Sequence, residues 1–212
     1  MVKITFFCIL LISISLSVFA AQDKVEVASV EKDTPLHLIK PSVSPIVIEK
    51  YEYYEVQGGN ESALRCDMNH NSCRWDDGKK YDSVTSWRVK WDYDYDRAPQ
   101  SCAAVAFKAS LEVVFRFPKW VHDEGVSQAL VAKWNSYLKN LTVHENGHRD
   151  MAVEAVAELS RAVAELSPAQ NCSDLDREVR ALCRLKLKKL NEDEKAYDVS
   201  TQHGLTQGAI FP

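Results

Sequence analysis

Alternation of apolar and polar residues with a period of two is the strongest pattern in this chain. In SWRVKWDYDY, Trp87, Val89, Trp91, Tyr93 and Tyr95 alternate with Arg88, Lys90, Asp92 and Asp94. Side chains on a strand point to opposite faces in turn, so this run predicts a strand with one buried aromatic face. A sugar-binding aromatic surface is the other use of such a stripe. A second strand is predicted in AAVAFKASLEVVFRFP, where Val105, Phe107, Ala109, Leu111 and Val113 alternate with Ala106, Lys108, Ser110 and Glu112. Pro118 is expected to end it. Upstream, YEYYEVQGG reads as a strand running into a glycine turn. The stretch NESALRCDMNHNSCRWDDGKKYDS reads as a polar, turn-rich connection.

From about Glu124 the period changes. Leu130, Trp134, Tyr137 and Leu141 recur at helical spacing, as do Ala152, Ala155, Leu159, Val163 and Leu166. His144, Glu145 and His148 fill the gap between the two sets at the same spacing, so the segment reads as one long helix or two nearly collinear ones. Gly147 is its one weak point, and Pro168 lies just past its end. A further helix is predicted from Leu175 to about Leu190. The tail NEDEKAYDVSTQHGLTQGAIFP loses the apolar period and reads as loop.

The beginning of the chain follows neither period. Lys3, an apolar run to about Ala20 and the ending Val18-Phe19-Ala20 make the pattern of a cleaved secretory signal peptide over residues 1–20. The run is short for a membrane span, which needs roughly 20 apolar residues. Residues 21–48 mix charge, Pro and Ser and read as a flexible tether, with the domain proper over 49–212. No later stretch is apolar enough to span a bilayer. The location predicted is periplasmic or secreted.

Composition narrows the function. Removing the signal takes away one charged side chain, Lys3, and moves the formal charge from −4 to −5. A chain with no basic field is a poor fit to nucleic acid. Five of the six cysteines remain after cleavage: Cys66, Cys73, Cys102, Cys172 and Cys183. In an oxidising compartment disulfides are the default. Cys66 and Cys73 flank a short turn-rich stretch and are expected to pair locally. Cys102 is expected to pair with Cys172, or alternatively with Cys183, leaving one odd thiol.

The chemistry concentrates in LTVHENGHRD. His144 and His148 are i and i+4 on a helix, about 40° apart in projection, so both imidazoles can meet one ion. Glu145, one residue on, can reach a water held by that ion. This is the logic of H-E-x-x-H, two nitrogen ligands and a carboxylate base on one rigid element. The three also occupy the inward stripe, where unpaired polar groups are costly. A catalytic zinc ion needs a third protein ligand. His203, in YDVSTQHGLTQG, is the leading candidate and Glu154 the weaker one. Asp150 is a candidate to orient a ligand. His37, His70 and His122 read as surface residues.

With HENGHRD and YDVSTQHG in view, the chain resembles the bacterial family catalogued as domain of unknown function (DUF) 922, whose members are described as secreted zinc-dependent proteases. YYEVQGG resembles its opening strand, SVTSWRVKWDYDY its aromatic strand, and Cys102 with FRFPKW the strand end before the helices. HENGHRD resembles its H-E-x-G-H-x-D core, and YDVSTQHG its closing Y-D-x-x-T-x-H-G. The likeness covers roughly residues 51–210 and implies a zincin-like α+β fold: an N-terminal antiparallel β region, a long H-E-x-x-H helix and a C-terminal helix. It also implies His144 and His148 as zinc ligands, Glu145 as base and His203 as a possible third ligand.

The function expected is therefore zinc-dependent hydrolysis of peptide bonds in a protein or peptide substrate. Glu145 would act as general base and Tyr197 as a candidate donor to the oxyanion. The alternatives are an envelope protein that holds zinc for structure alone, and a secreted binding module that uses its aromatic strand face.

Overall fold

The computed structural model describes residues 4–6 (backbone only), 45–75, 78–122 and 125–211. The expected signal peptide and tether lie outside these residues apart from Ile4–Phe6 and 45–48. In chain order the elements are β1 (Ile4–Phe6), β2 (Ile46–Gln57), α1 (Glu61–Asn71), β3 (Cys73–Arg74), β4 (Lys80–Tyr81), β5 (Val84–Ala98), β6 (Ser101–Val121), α2 (Gln128–Ala164), α3 (Cys172–Thr201) and a 3-10 turn (Leu205–Gln207). The molecule is α+β. No helix among the described residues is long and apolar enough to cross a membrane.

The main sheet has the order β1-β5-β6-β2. β5 and β6 form a long antiparallel hairpin closed by Pro99 and Gln100, with Ala98 opposite Ser101. Gln100 takes a positive φ of 62°, as the third residue of a tight turn after proline requires. The β region is mixed, not purely antiparallel, because β2 runs parallel to β6. Parallel neighbours cannot be joined by a tight turn, and the chain between β2 and β6 runs through α1, the small β3–β4 pair and β5. Pro118 does not end β6, which continues to Val121. β5 pairs only as far as Arg116, so beyond that point one side of β6 has no strand neighbour among the described residues, and a residue without an N–H is tolerated there.

The alternating stripe is core. Val89, Trp91, Tyr93 and Tyr95 on β5 and Phe107, Ala109, Leu111, Val113 and Phe115 on β6 are all buried. Helices α2 and α3 pack on the sheet and on each other. Burial along α2 falls on Leu130, Trp134, Tyr137, Leu141, His144, Glu145, His148, Ala152, Val156, Leu159 and Val163, the stripe that the helical period predicts, carried straight through the polar triplet. Ser127 caps α2 and Asn171 caps α3, each side chain accepting the backbone N–H three residues on.

Three sequence expectations are corrected here. The polar stretch after Gly59 is not all turn. Asn60 accepts from the Ala63 N–H and starts α1, which buries Leu64 and Met68. That helix sets Cys66 on the exposed side while Cys73 is buried in β3, so these two thiols are not bonded to each other. Burial pushes the Cys73 thiol up to about 11. The disulfide that does form joins Cys102 to Cys172. It is reinforced by a two-bond backbone bridge between Cys102 and Ala169. Finally, α3 does not stop near Leu190 but runs eleven residues further, to Thr201, so Tyr197 is on a helix and not in a loop.

Candidate metal centre

The site lies where the middle of α2 meets the last turns of α3. His144, Glu145 and His148 are 3%, 3% and 8% exposed. Asp198, on α3, brings Oδ1 to 3.2 Å from His144 Nε2 and 3.1 Å from His148 Nε2. These three residues form the group among the described residues whose ligand atoms converge closely enough to hold one metal ion. Bonds of about 2.0–2.2 Å at tetrahedral angles put neighbouring ligand atoms roughly 3.3–3.5 Å apart. The two measured His–Asp separations therefore fit a single small ion after a shift of a few tenths of an ångström.

The surrounding residues fix which nitrogen faces inward. Gln207 Oε1 lies 3.0 Å from His144 Nδ1. An amide oxygen can only accept, so Nδ1 donates to it, and with an ion bound Nε2 is left as the ligand atom. The amide nitrogen of Gln207 in turn donates to Tyr197 Oη at 2.9 Å. On the other imidazole, His148 Nδ1 is 3.8 Å from Glu194 Oε1, and Trp87 Nε1 donates to that same oxygen at 2.8 Å. Burial pushes the His148 pKa down, but the Asp198 and Glu194 carboxylates outweigh it and hold the group up at about 10. Burial acts the opposite way on Asp198, and the hydrogen bonds from His144 and His148 hold it well below the usual carboxylate range. Without an ion, the cluster is thus a proton-sharing pair of opposite charges.

Tyr197 braces the site. Its ring stacks on His144 with centroids 5.1 Å apart and 9° between planes, and meets His148 edge-on at 5.1 Å. Its hydroxyl donates to the His144 carbonyl at 3.2 Å. A Cβ on Gly147 would lie 2.2 Å from that hydroxyl. The glycine inside H-E-x-G-H is therefore there to let α3 come close. Gly204 does the same from the tail: it has a φ of +84°, and a Cβ there would lie 3.2 Å from the His144 ring.

Glu145 reaches the start of β5. Its two carboxylate oxygens accept from Ser83 Oγ and Thr85 Oγ1, the latter at 2.6 Å.

Of the residues the sequence singled out, His144, Glu145, His148 and Tyr197 come together. His203 does not join the converging ligand set. Its Nδ1 lies 3.5 Å from Asp198 Oδ1, its ring rests against Tyr81, and it is 48% exposed at the rim. The chain reaches it through Gln202 and His203, both left-handed at φ 51°, which turn the backbone out of the helix. Glu154 is exposed and paired with Arg161, and Asp150 is exposed and paired with Arg149, so neither reaches the site. Sequence reasoning missed Asp198, Glu194, Gln207, Ser83 and Thr85.

No curated protein and no solved structure matches this chain. Residues 51–204 match the family described as bacterial protein of unknown function, DUF922. That span opens on the strand YEYYEV and closes on His203-Gly204, taking in every element of the site except Gln207. The match covers well over half of the chain, which belongs to the DUF922 family.

Proposed function

We propose that this protein is an exported zinc-dependent peptidase, with His144, His148 and Asp198 as the metal ligands and Glu145 as the general base. The observation that carries the reading is the convergence of His144 Nε2 and His148 Nε2 on Asp198 Oδ1, with a buried carboxylate on the same helical turn. Two imidazoles and one carboxylate suit zinc, and three protein ligands leave one position open to chemistry. A zinc ion held there supplies Lewis acidity, activating water and polarising a carbonyl. Glu145 takes the proton of the attacking water on a carboxylate oxygen and passes it to the nitrogen of the leaving amine, ending as it began. Gln207 holds His144 in one tautomer and one orientation, and the Glu194 carboxylate stands 3.8 Å from His148 Nδ1. Tyr197, with its hydroxyl engaged by the His144 carbonyl and Gln207, serves as a positioning residue and not as an oxyanion donor. His203 stands at the exposed rim of the site.

A zinc ion held for structure alone is the competing reading, and the burial of His144, Glu145 and His148 is what favours it. Glu145→Gln separates the two. The amide keeps the size and the hydrogen-bonding reach of the carboxylate but takes up no proton. With a peptide that the wild type cleaves, the variant should keep one zinc per chain and lose about 10³–10⁴ in kcat, the upper range for general-base catalysis. Cleavage at the wild-type rate by a zinc-loaded variant removes Glu145 as the base. Tight zinc binding by a wild-type protein that cleaves no peptide gives the structural reading the lead.

A further inference from the structure

We infer that Ser83 and Thr85 are positioning residues for the base, clamping the Glu145 carboxylate one oxygen each, an inference that rests on the hydrolase reading above. Glu145 is almost completely buried, and a carboxylate there would turn freely about its terminal bond unless something fixed its plane. Two hydroxyls do so. Ser83 Oγ donates to Oε1 and Thr85 Oγ1 donates to Oε2 at 2.6 Å. The two donors flank Val84, Ser83 just ahead of β5 and Thr85 within it, and both hydroxyls reach the one carboxylate on α2.

The clamp is itself anchored. Asp82, immediately before Ser83, is held through its backbone and its side chain from three elements. Tyr54 Oη on β2 donates to the Asp82 carbonyl at 2.8 Å. Arg65 on α1 donates to both carboxylate oxygens at 2.9 Å. Tyr137 on α2 donates to Oδ2 at 2.6 Å. The segment Asp82–Thr85 is thereby fixed to the same helix that carries the base, about two turns along from it.

A carboxylate offers about four acceptor positions, and the clamp occupies two. The others stay open for the proton that Glu145 receives and returns, so no bond to the clamp need break during turnover. A base already held in its working orientation avoids reorganisation when the proton moves, which is where preorganised sites gain rate. Neither hydroxyl is assigned a reaction of its own: both act through Glu145.

A purely structural role would make the same contacts, so the test needs a readout that structure alone does not move. The experiment uses the exported, zinc-loaded chain and a quenched fluorogenic peptide chosen with the wild-type protein. Ser83→Ala and Thr85→Val should keep one zinc per chain and a KM within about twofold, while kcat falls about ten- to a hundredfold, the range for losing one hydrogen bond to a charged group. Thr85→Ser, which keeps the hydroxyl, should return kcat to within a few-fold of wild type. In the Glu145→Gln background, Thr85→Val should lower kcat no further, because the base through which it acts is already gone. Full wild-type kcat in zinc-loaded Ser83→Ala and Thr85→Val overturns the inference. So does a Thr85→Val loss that adds in full to that of Glu145→Gln. A wild-type protein that binds zinc and cleaves no peptide overturns the hydrolase reading first, and is recognised before any clamp variant is made.

Discussion

At the scale of single residues, the site was legible wherever its parts lie on one helical turn. His144, Glu145 and His148 declare themselves because a spacing of one and four on a helix is a local property of the sequence. Gly147 was visible only as a weakness in that helix. Its reason, the close approach of the Tyr197 hydroxyl, belongs to another element fifty residues on. Alanine in an exposed helix interior normally stabilises by about 1 kcal/mol relative to glycine. At Gly147 the sign should reverse, because the new Cβ would drive Tyr197 off His144 and move Asp198 with it. Gly147→Ala should therefore lower the unfolding midpoint and weaken zinc binding together, as thermal unfolding and a zinc titration would show. A variant that melts higher and binds zinc as wild type does would mean that the two helices are not in this contact.

At the scale of elements, the same inward stripe that betrayed α2 was present in α3 and was cut short. Leu175, Val179, Cys183, Leu187 and Leu190 repeat every three or four residues, and Glu194, Asp198 and Thr201 continue the spacing. The stripe turns polar at Glu194, so an apolar count reads the helix as ended just where it enters the site. The period continues through these polar residues as it does through His144 and His148 on α2, and it puts two carboxylates on the inner face of α3. The helix over 61–71 stays hidden for a related reason: a short helix with two buried apolar residues carries too little periodicity to stand out from its polar surroundings. The pairing of Cys102 with Cys172 is expected as a tie between the strand region and the end of the long helix, and the structure has it. It closes a loop between residues 70 apart. Loop-closure entropy for that separation amounts to about 4 kcal/mol, of which about 2–4 kcal/mol is commonly realised. The double variant Cys102→Ala/Cys172→Ala should melt about 5–15 °C lower. An unchanged midpoint would mean that the bond contributes nothing to this fold.

At the scale of the whole molecule, the α+β class and the order of strands before helices followed from the change of period near Glu124. The parallel pairing of β2 did not, since neither a strand's partner nor its direction is written in its own alternation. Nor did the role of the tail. Residues 202–211 fold back as a strap over α2: Gly204 packs on His144, Gln207 holds its Nδ1, and Asn140 donates to the Gly208 carbonyl at 2.8 Å. The strap ends with Phe211 buried against Trp134 and Tyr137, its carbonyl gripped by Arg65 at 2.8 Å. Phe211→Ala should cost about 3 kcal/mol, the low end for a buried phenylalanine. It should also weaken zinc binding measurably, although Phe211 belongs to a separate aromatic cluster. Stability lost with zinc affinity intact would separate the strap from the site. The proposed metal centre draws its ligands from two helices, and a zinc titration of Asp198→Ala beside His203→Ala is the sharpest check on it. We predict that wild type binds one zinc per chain, that His203→Ala binds it nearly as tightly, and that Asp198→Ala loses it by orders of magnitude. Full zinc affinity in Asp198→Ala, with the loss falling on His203→Ala instead, would contradict the centre described above.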